Sequence, residues 1–447
     1  MKQRENWTSN IGFIMAAAGS AIGLGNIWRF PYVTGTNGGA AFLLIFIGCI
    51  VFVGFPVVVA EITIGRKTAK NPVGAFKALA PNTPWWLVGA LGVLSGFVIL
   101  SYYSVVAGWS MAYVFKALGG LEAGADFAGM FQDHISGFGV PLLWHAAFML
   151  INILVISAGV VGGIQKVAKT LMPLLLLILI VLVIRSVTLP GAGEGLSFYL
   201  NPDFGAVTAQ TFTDAIAQSF FTLSLGMGAM ITYGSYLSKK DNVSDNAVYI
   251  ILFDFLIALL AGFAIFPAVF ALGFDPGAGA GLVFITLPGV LAEMPLGSLF
   301  GVLFFLLVTI AALTSSISLL EVVVAYVVDE KGWDRKKAAQ TMGTIIFLVG
   351  IPTILGYSTW SGFSFLGMDV LDTYDWIANN IFLPLGGMLT AIFAGYVWKA
   401  QNLIEEANSA PGKIMLGKGY EFFLKVVAPV GIFIVMVVNI WTTITGL

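Results

Sequence analysis

GFIMAAAGSAIGLGNIWRFP, residues 12–31, decides the fold of this chain. The stretch is apolar enough to enter a bilayer. Glycines nevertheless crowd its middle at Gly19, Gly23 and Gly25, and Asn26 and Arg29 follow them. Each glycine costs a helix interior about 1 kcal/mol relative to alanine, so the spacing predicts an unwound segment. A second stretch, AQSFFTLSLGMGAMITYGSY (217–236), repeats the pattern with Thr222, Ser224, Gly226 and Gly228. Non-helical backbone at membrane depth persists only where protein buries it or where it lines a cavity. Close helix packing is the plainer use of glycine. Asn26 and Thr222 inside the same breaks favour a binding site.

Composition sets the solvent. Of 447 residues 58% are hydrophobic and 10% charged, and the mean hydropathy is +0.95. A soluble domain carries about 25% charged residues, so this chain could not cover a water-facing surface. The lone cysteine, Cys49, excludes an internal disulfide and a cysteine metal site. His134 and His145, eleven residues apart, do not have zinc-pair spacing and are read as loop and helix-end residues. No basic tract suggests nucleic acid as a partner. The apolar run after the polar N-terminus lacks a small-residue cleavage site and is read as the first span.

A span needs about 20 apolar residues. Eleven helices are expected, near 11–36, 41–65, 86–118, 140–158, 165–187, 212–237, 246–272, 297–328, 338–355, 376–398 and 421–445. Alternate connections hold Arg66, Lys67, Lys77, Lys239, Lys240, Arg335, Lys336 and Lys399, whereas 119–139, 188–211, 273–296 and 356–375 hold no Lys or Arg. The positive-inside rule then places the N-terminus in the cytoplasm and Leu447 outside. The chain divides into a cytoplasmic segment (1–10), a first repeat of five helices (11–187), an extracellular loop (188–211), a second repeat (212–398), and a cytoplasmic loop with helix 11 (399–447).

The breaks fall in spans one and six, matching members of two five-span halves. That is the pattern of a 5+5 inverted-repeat transporter. A break exposes carbonyls that can bind a cation. It also exposes a half-helix N-terminus whose N–H groups favour a carboxylate. A zwitterionic amino acid needs both.

GSAIGLGNIWRFPY, the SYY at 101–103, QSFFTLSLGMG and ALTSSISLLE together resemble the neurotransmitter:sodium symporter family over nearly the whole chain. The chain is similar to bacterial members of the leucine-transporter kind, closest to the subgroup carrying several hydrophobic amino acids. The resemblance implies an all-α membrane protein of the bacterial inner membrane, importing hydrophobic or aromatic L-amino acids with two sodium ions.

By position, the first sodium site would use Ala21, Asn26, Thr222 and Asp254, with the substrate carboxylate. Asp254 stands where relatives carry Asn, and Ala258 where chloride-dependent relatives carry Ser. A fixed carboxylate can replace chloride, so chloride-independent transport is expected. The second sodium site would use Gly19, Ile22, Ala311, Thr314 and Ser315. The substrate carboxylate would meet Leu24, Gly25 and Tyr103, and its ammonium Ala21, Phe221, Thr222 and Ser224. Ile99, Tyr103, Phe221, Met227, Ser315 and Leu319 would line the side-chain pocket, with flexible Met227 admitting several shapes. Gly23 has no side chain where amine transporters carry Asp, which favours an amino acid over a monoamine.

The resemblance also implies an outer gate of Arg29 and Asp375 and an inner gate of Arg4 and Asp329, with Trp7, Ser235 and Tyr236 nearby. Gly163 and Pro173 would let the cytoplasmic half of the fifth span unwind. A ligand-gated channel or a non-transporting amino-acid sensor is the alternative reading. No HExxH or GxSxG motif supports an enzyme.

Overall fold

The computed structural model describes residues 5–274 and 281–445. The calls on Arg4 and Leu447 therefore lie outside the described residues. The architecture is all-helical, as expected. Helix α1 (Asn10–Ala21) and α2 (Gly25–Thr36) are bent 53° apart and pass together as one broken span. Next come α3 (Ala40–Thr68), α4 (Trp86–Leu118), α5 (Gly139–Ser157) and α6 (Val160–Val187). Two shorter pieces follow, α7 (Ala209–Thr222) and α8 (Ala229–Gly234). The order closes with α9 (Val243–Ala271), α10 (Gly297–Lys331), α11 (Arg335–Gly356), α12 (Val370–Val397) and α13 (Lys418–Thr445).

Among the described residues, nine helices alone are long and apolar enough to cross a membrane, and the bent α1–α2 pair makes a tenth. α7 and α8 fall short individually because the residues between them leave the helix. The expected loops 119–139, 188–211 and 273–296 carry helices of their own, Phe127–Ser136, Ala192–Leu200 and Leu282–Ala292.

Helices satisfy backbone N–H and C=O groups within one segment, which a bilayer demands. The outer coat is apolar: Leu44, Leu143, Leu154, Leu177, Ile184, Phe433 and Trp441 are all exposed. α4 and α10 form the centre and pack closely. A Cβ at Gly96 would sit 3.4 Å from the Leu319 carbonyl, and one at Gly108 would sit 2.9 Å from the His145 nitrogen. In α4, then, glycine serves close packing rather than a break.

Wide π-type turns interrupt several spans. Those at 25–29, 50–54, 378–382 and 423–427 each end two residues before a proline: Pro31, Pro56, Pro384 and Pro429. Proline supplies no N–H and its ring crowds the carbonyl four residues back, and a widened turn relieves both.

The helix-end reading of His145 is corrected. It lies buried within α5, with Nε2 3.0 Å from the Phe347 carbonyl of α11. A Cβ at Gly350 would approach that ring to 2.9 Å, so the glycine makes room for the histidine. His134 lies in the short helix Phe127–Ser136, also buried, where burial lowers its pKa to about 4 and keeps it neutral.

Candidate functional site

The first break is short. α1 ends at Ala21, Ile22 is extended, and α2 begins at Gly25. The Asn26 side-chain oxygen accepts the Gly23 N–H at 3.1 Å and so ties the break to the start of the new helix. The second break spans residues 223–228. Ser224, Gly226 and Gly228 all take positive φ there, at 54°, 79° and 75°. Glycine adopts these angles freely, whereas Ser224 is held in a conformation side chains disfavour. Its hydroxyl donates to the Ser20 carbonyl at 2.9 Å, which ties the two breaks together.

Asn26, Thr222 and Asp254 form one fully buried cluster. Asn26 Nδ2 donates to Asp254 Oδ1 at 2.7 Å. The Thr222 hydroxyl lies 2.9 and 3.0 Å from the two Asp254 oxygens. Ala21, the fourth residue expected here, is the last residue of α1 and is buried. Ala258, one turn along α9, is also buried.

The second expected group also converges. Ser315 Oγ lies 3.4 Å from the Gly19 carbonyl and 3.1 Å from that of Ile22. Thr314 Oγ1 lies 3.4 Å from the Ile22 carbonyl and 3.0 Å from that of Ala311. All five oxygen donors are uncharged and lie where α1 stops against α10.

Between these groups, the Leu24 N–H donates to the Tyr103 hydroxyl at 3.2 Å. A Cβ at Gly23 would sit 2.5 Å from Ser315 Oγ and 3.0 Å from the Tyr103 hydroxyl. One at Gly25 would sit 2.6 Å from the Phe221 ring. Ile99, Met227 and Leu319 are buried nearby on α4, the second break and α10. A Cβ on Gly92 of α4 would lie 3.3 Å from the Met227 backbone.

Arg29 and Asp375 form no ion pair within 4 Å. The Arg29 guanidinium instead lies over the Phe221 ring, 5.0 Å from its centroid, and Asp375 accepts from Asn379 at 2.8 Å. Cation–π attraction to the Phe221 ring favours this position of Arg29. On the other face, Asp329 accepts the Asn71 N–H at 2.9 Å. Trp7 plugs this face, with Nε1 donating to the Tyr233 carbonyl at 3.0 Å and its backbone N–H to that of Tyr236 at 3.1 Å. Ser235 is buried beside them.

Gly163 lies in a wide turn at 160–165, where a Cβ would collide with the Val155 carbonyl. Pro173 sits inside α6. Its neighbour Met172 presses on α1: a Cβ at Gly19 would meet Met172 Sδ at 2.8 Å. The same end of α6 is tied to the N-terminal segment. Glu5 accepts the Val160 N–H at 2.7 Å, the Thr8 N–H reaches Gln165 at 3.0 Å, and Lys169 donates to Ser9 at 3.1 Å.

Sequence reasoning passed over two buried acids. Glu61 of α3 accepts the Gly226 N–H at 2.8 Å and so fixes the second break. Glu321 of α10 pairs with Arg335 at 2.5 Å and accepts the Tyr236 hydroxyl at 2.6 Å. An acid inside an apolar span was the available signal.

Opposed helix breaks with ion-competent oxygens on both sides define a multi-span membrane transporter. The chain belongs to the sodium:neurotransmitter symporter family, which it matches over residues 4–122 and 127–445. It is 42% identical over 437 residues to the uncharacterized sodium-dependent transporter YhdH of Bacillus subtilis, covering 96% of each chain. A similar transporter of Haemophilus influenzae is 37% identical over 454 residues, covering 98% of this chain and 99% of the relative. The crystal structure of MhsT in complex with L-phenylalanine superposes with a TM-score of 0.90 at 47% identity, covering 97% of this chain and 99% of that one.

Proposed function

We propose that the chain imports hydrophobic or aromatic L-amino acids by alternating access, coupled to two sodium ions and independent of chloride. One observation carries this reading: the Leu24 N–H and the Tyr103 hydroxyl meet beside Gly23, which has no side chain to offer a charge. A substrate seated there brings its own carboxylate. That carboxylate takes over the Leu24 N–H and the Tyr103 hydroxyl, while its ammonium turns to the carbonyls of the breaks. The L-phenylalanine bound to MhsT supports an amino acid of this size and polarity.

Sodium is a hard cation that takes oxygen ligands. The Ala21 carbonyl, Asn26, Thr222 and Asp254 would hold one ion beside the substrate carboxylate. Gly19, Ile22, Ala311, Thr314 and Ser315 would hold the other. The shared carboxylate couples the first ion to the substrate, so each raises the affinity for the other. Asp254 supplies a fixed negative charge where Ala258 offers no hydroxyl for an anion.

The path to the cytoplasm opens when Trp7 leaves its site and α6 unwinds between Gly163 and Pro173. In this reading α7 and α8 together make a further span, eleven in all. They belong to the second repeat, 212–398, as α1 belongs to the first, 11–187. The lysine-rich connections face the cytoplasm of a bacterial inner membrane, with the N-terminus inside.

Uptake of labelled Trp, Tyr, Leu and Ile into proteoliposomes tests this reading, with choline replacing sodium and gluconate replacing chloride. Uptake should require sodium and survive in gluconate. Collapse in gluconate would remove the chloride claim. Conductance without accumulation would instead favour a channel.

A further inference from the structure

We propose that the cleft between the ends of α6, α9 and α10 holds the headgroup of an anionic phospholipid, anchored by Arg185 and Ser186. The cleft lies at the end of the bundle away from the lysine-rich connections. Its walls are apolar, with Leu182 from α6, Ala268 from α9, Leu291 from the helix Leu282–Ala292, and Phe300 from α10. Arg185 and Ser186 line it too and supply its polar groups.

Both side chains have unused hydrogen-bonding capacity. Ser186 is only 2% exposed, and its hydroxyl has no partner among the described residues. A buried unpaired hydroxyl is costly and calls for an acceptor. Among the described residues, no carboxylate lies within ion-pairing distance of Arg185. Its guanidinium lies over the Phe300 ring, 5.7 Å from the centroid. A cation–π contact uses none of the fork's N–H donors, which stay available for a hydrogen-bond acceptor.

The surroundings select the occupant. Ile184 and Leu299, next to the cleft, are 58% and 52% exposed. In a membrane protein such exposed aliphatic side chains face acyl chains. A ligand here therefore has an anionic head and an apolar body. A guanidinium fork matches the two free oxygens of a phosphodiester, and the serine hydroxyl can donate to one of the same oxygens. The acyl chains would then run along Ile184 and Leu299. A free phosphate would satisfy the head groups and leave these flanks uncovered.

Native mass spectrometry of the purified full chain tests the site, with phosphatidylglycerol and phosphatidylcholine of identical acyl chains as probes. Wild type should retain one phosphatidylglycerol about tenfold more tightly than phosphatidylcholine, because both lipids offer the phosphate but the choline cation of the second neutralises it and is repelled by Arg185. Arg185→Gln should abolish that preference, Arg185→Lys should keep part of it, and Ser186→Ala should weaken it a few-fold. Equal retention of the two lipids by wild type would overturn the proposal, whatever the variants do. So would an undiminished preference in Arg185→Gln. Displacement of the lipid by millimolar inorganic phosphate would overturn the assignment to a lipid.

Discussion

The Thr222 hydroxyl lies within hydrogen-bonding distance of both carboxylate oxygens of Asp254, at 2.9 and 3.0 Å. Asn26 donates to the same carboxylate from the first break. One acid on α9 therefore joins the two broken spans. An ion entering this cluster would replace the donors' hydrogens as the partner of the carboxylate, and the breaks would adjust around it.

Asp254→Asn keeps the shape and removes the charge. Losing one charge-assisted contact should raise the sodium concentration for half-maximal uptake by about tenfold. Sodium titration of uptake checks this. An unchanged sodium dependence would remove Asp254 from the ion site.

Thr314→Ala combined with Ser315→Ala deletes two of the five oxygens gathered between α1 and α10. Sodium dependence should lose its cooperativity, with the Hill coefficient falling toward 1. Equilibrium binding of labelled substrate across a sodium series gives the coefficient. A steep curve in the double variant would show that the second ion binds elsewhere.

Gly23→Ala places a methyl 2.5 Å from Ser315 Oγ and 3.0 Å from the Tyr103 hydroxyl. Substrate must share that space. Uptake should fall by about tenfold or more, because overpacking of this size costs about 1–3 kcal/mol and here falls on the substrate's own space. Wild-type uptake in this variant would place the carboxylate site away from Gly23.

Pro173→Ala restores a backbone donor to the middle of α6 and stiffens the segment that Met172 presses onto Gly19. Transport should slow while sodium-dependent substrate binding persists. The ties from Glu5, Thr8 and Ser9 to Val160, Gln165 and Lys169 brace the cytoplasmic end of α6 against the N-terminal segment. Gln165→Ala should therefore act in the opposite direction and raise labelling of a cysteine placed on the inward path. If both variants shift labelling the same way, α6 does not control this path.

The two breaks were legible because glycine is costly in a helix and each cluster carried a polar residue. Their extents were not. Within the span 212–237 the glycines marked a break but not its limits at 223 and 228, where Ser224 takes a positive φ and bonds to the distant Ser20 carbonyl. Local patterns also cannot show partners far apart in sequence. Glu61 and Gly226, or Glu321 and Arg335, meet only once the bundle is packed. Arg29 was expected to reach Asp375, but its contact with the Phe221 ring depends on how far α2 and α7 approach each other. The residues gathered in the Asp254 cluster and between α1 and α10 could be named beforehand because the family resemblance supplied three-dimensional neighbours that spacing alone does not.

Accumulation of labelled tryptophan in proteoliposomes under an inward sodium gradient tests the central claim most directly. The account predicts accumulation above the external concentration, which is lost when choline replaces sodium and when an ionophore collapses the gradient. Equal accumulation without sodium, or uptake that only equilibrates whatever the gradient, would contradict it.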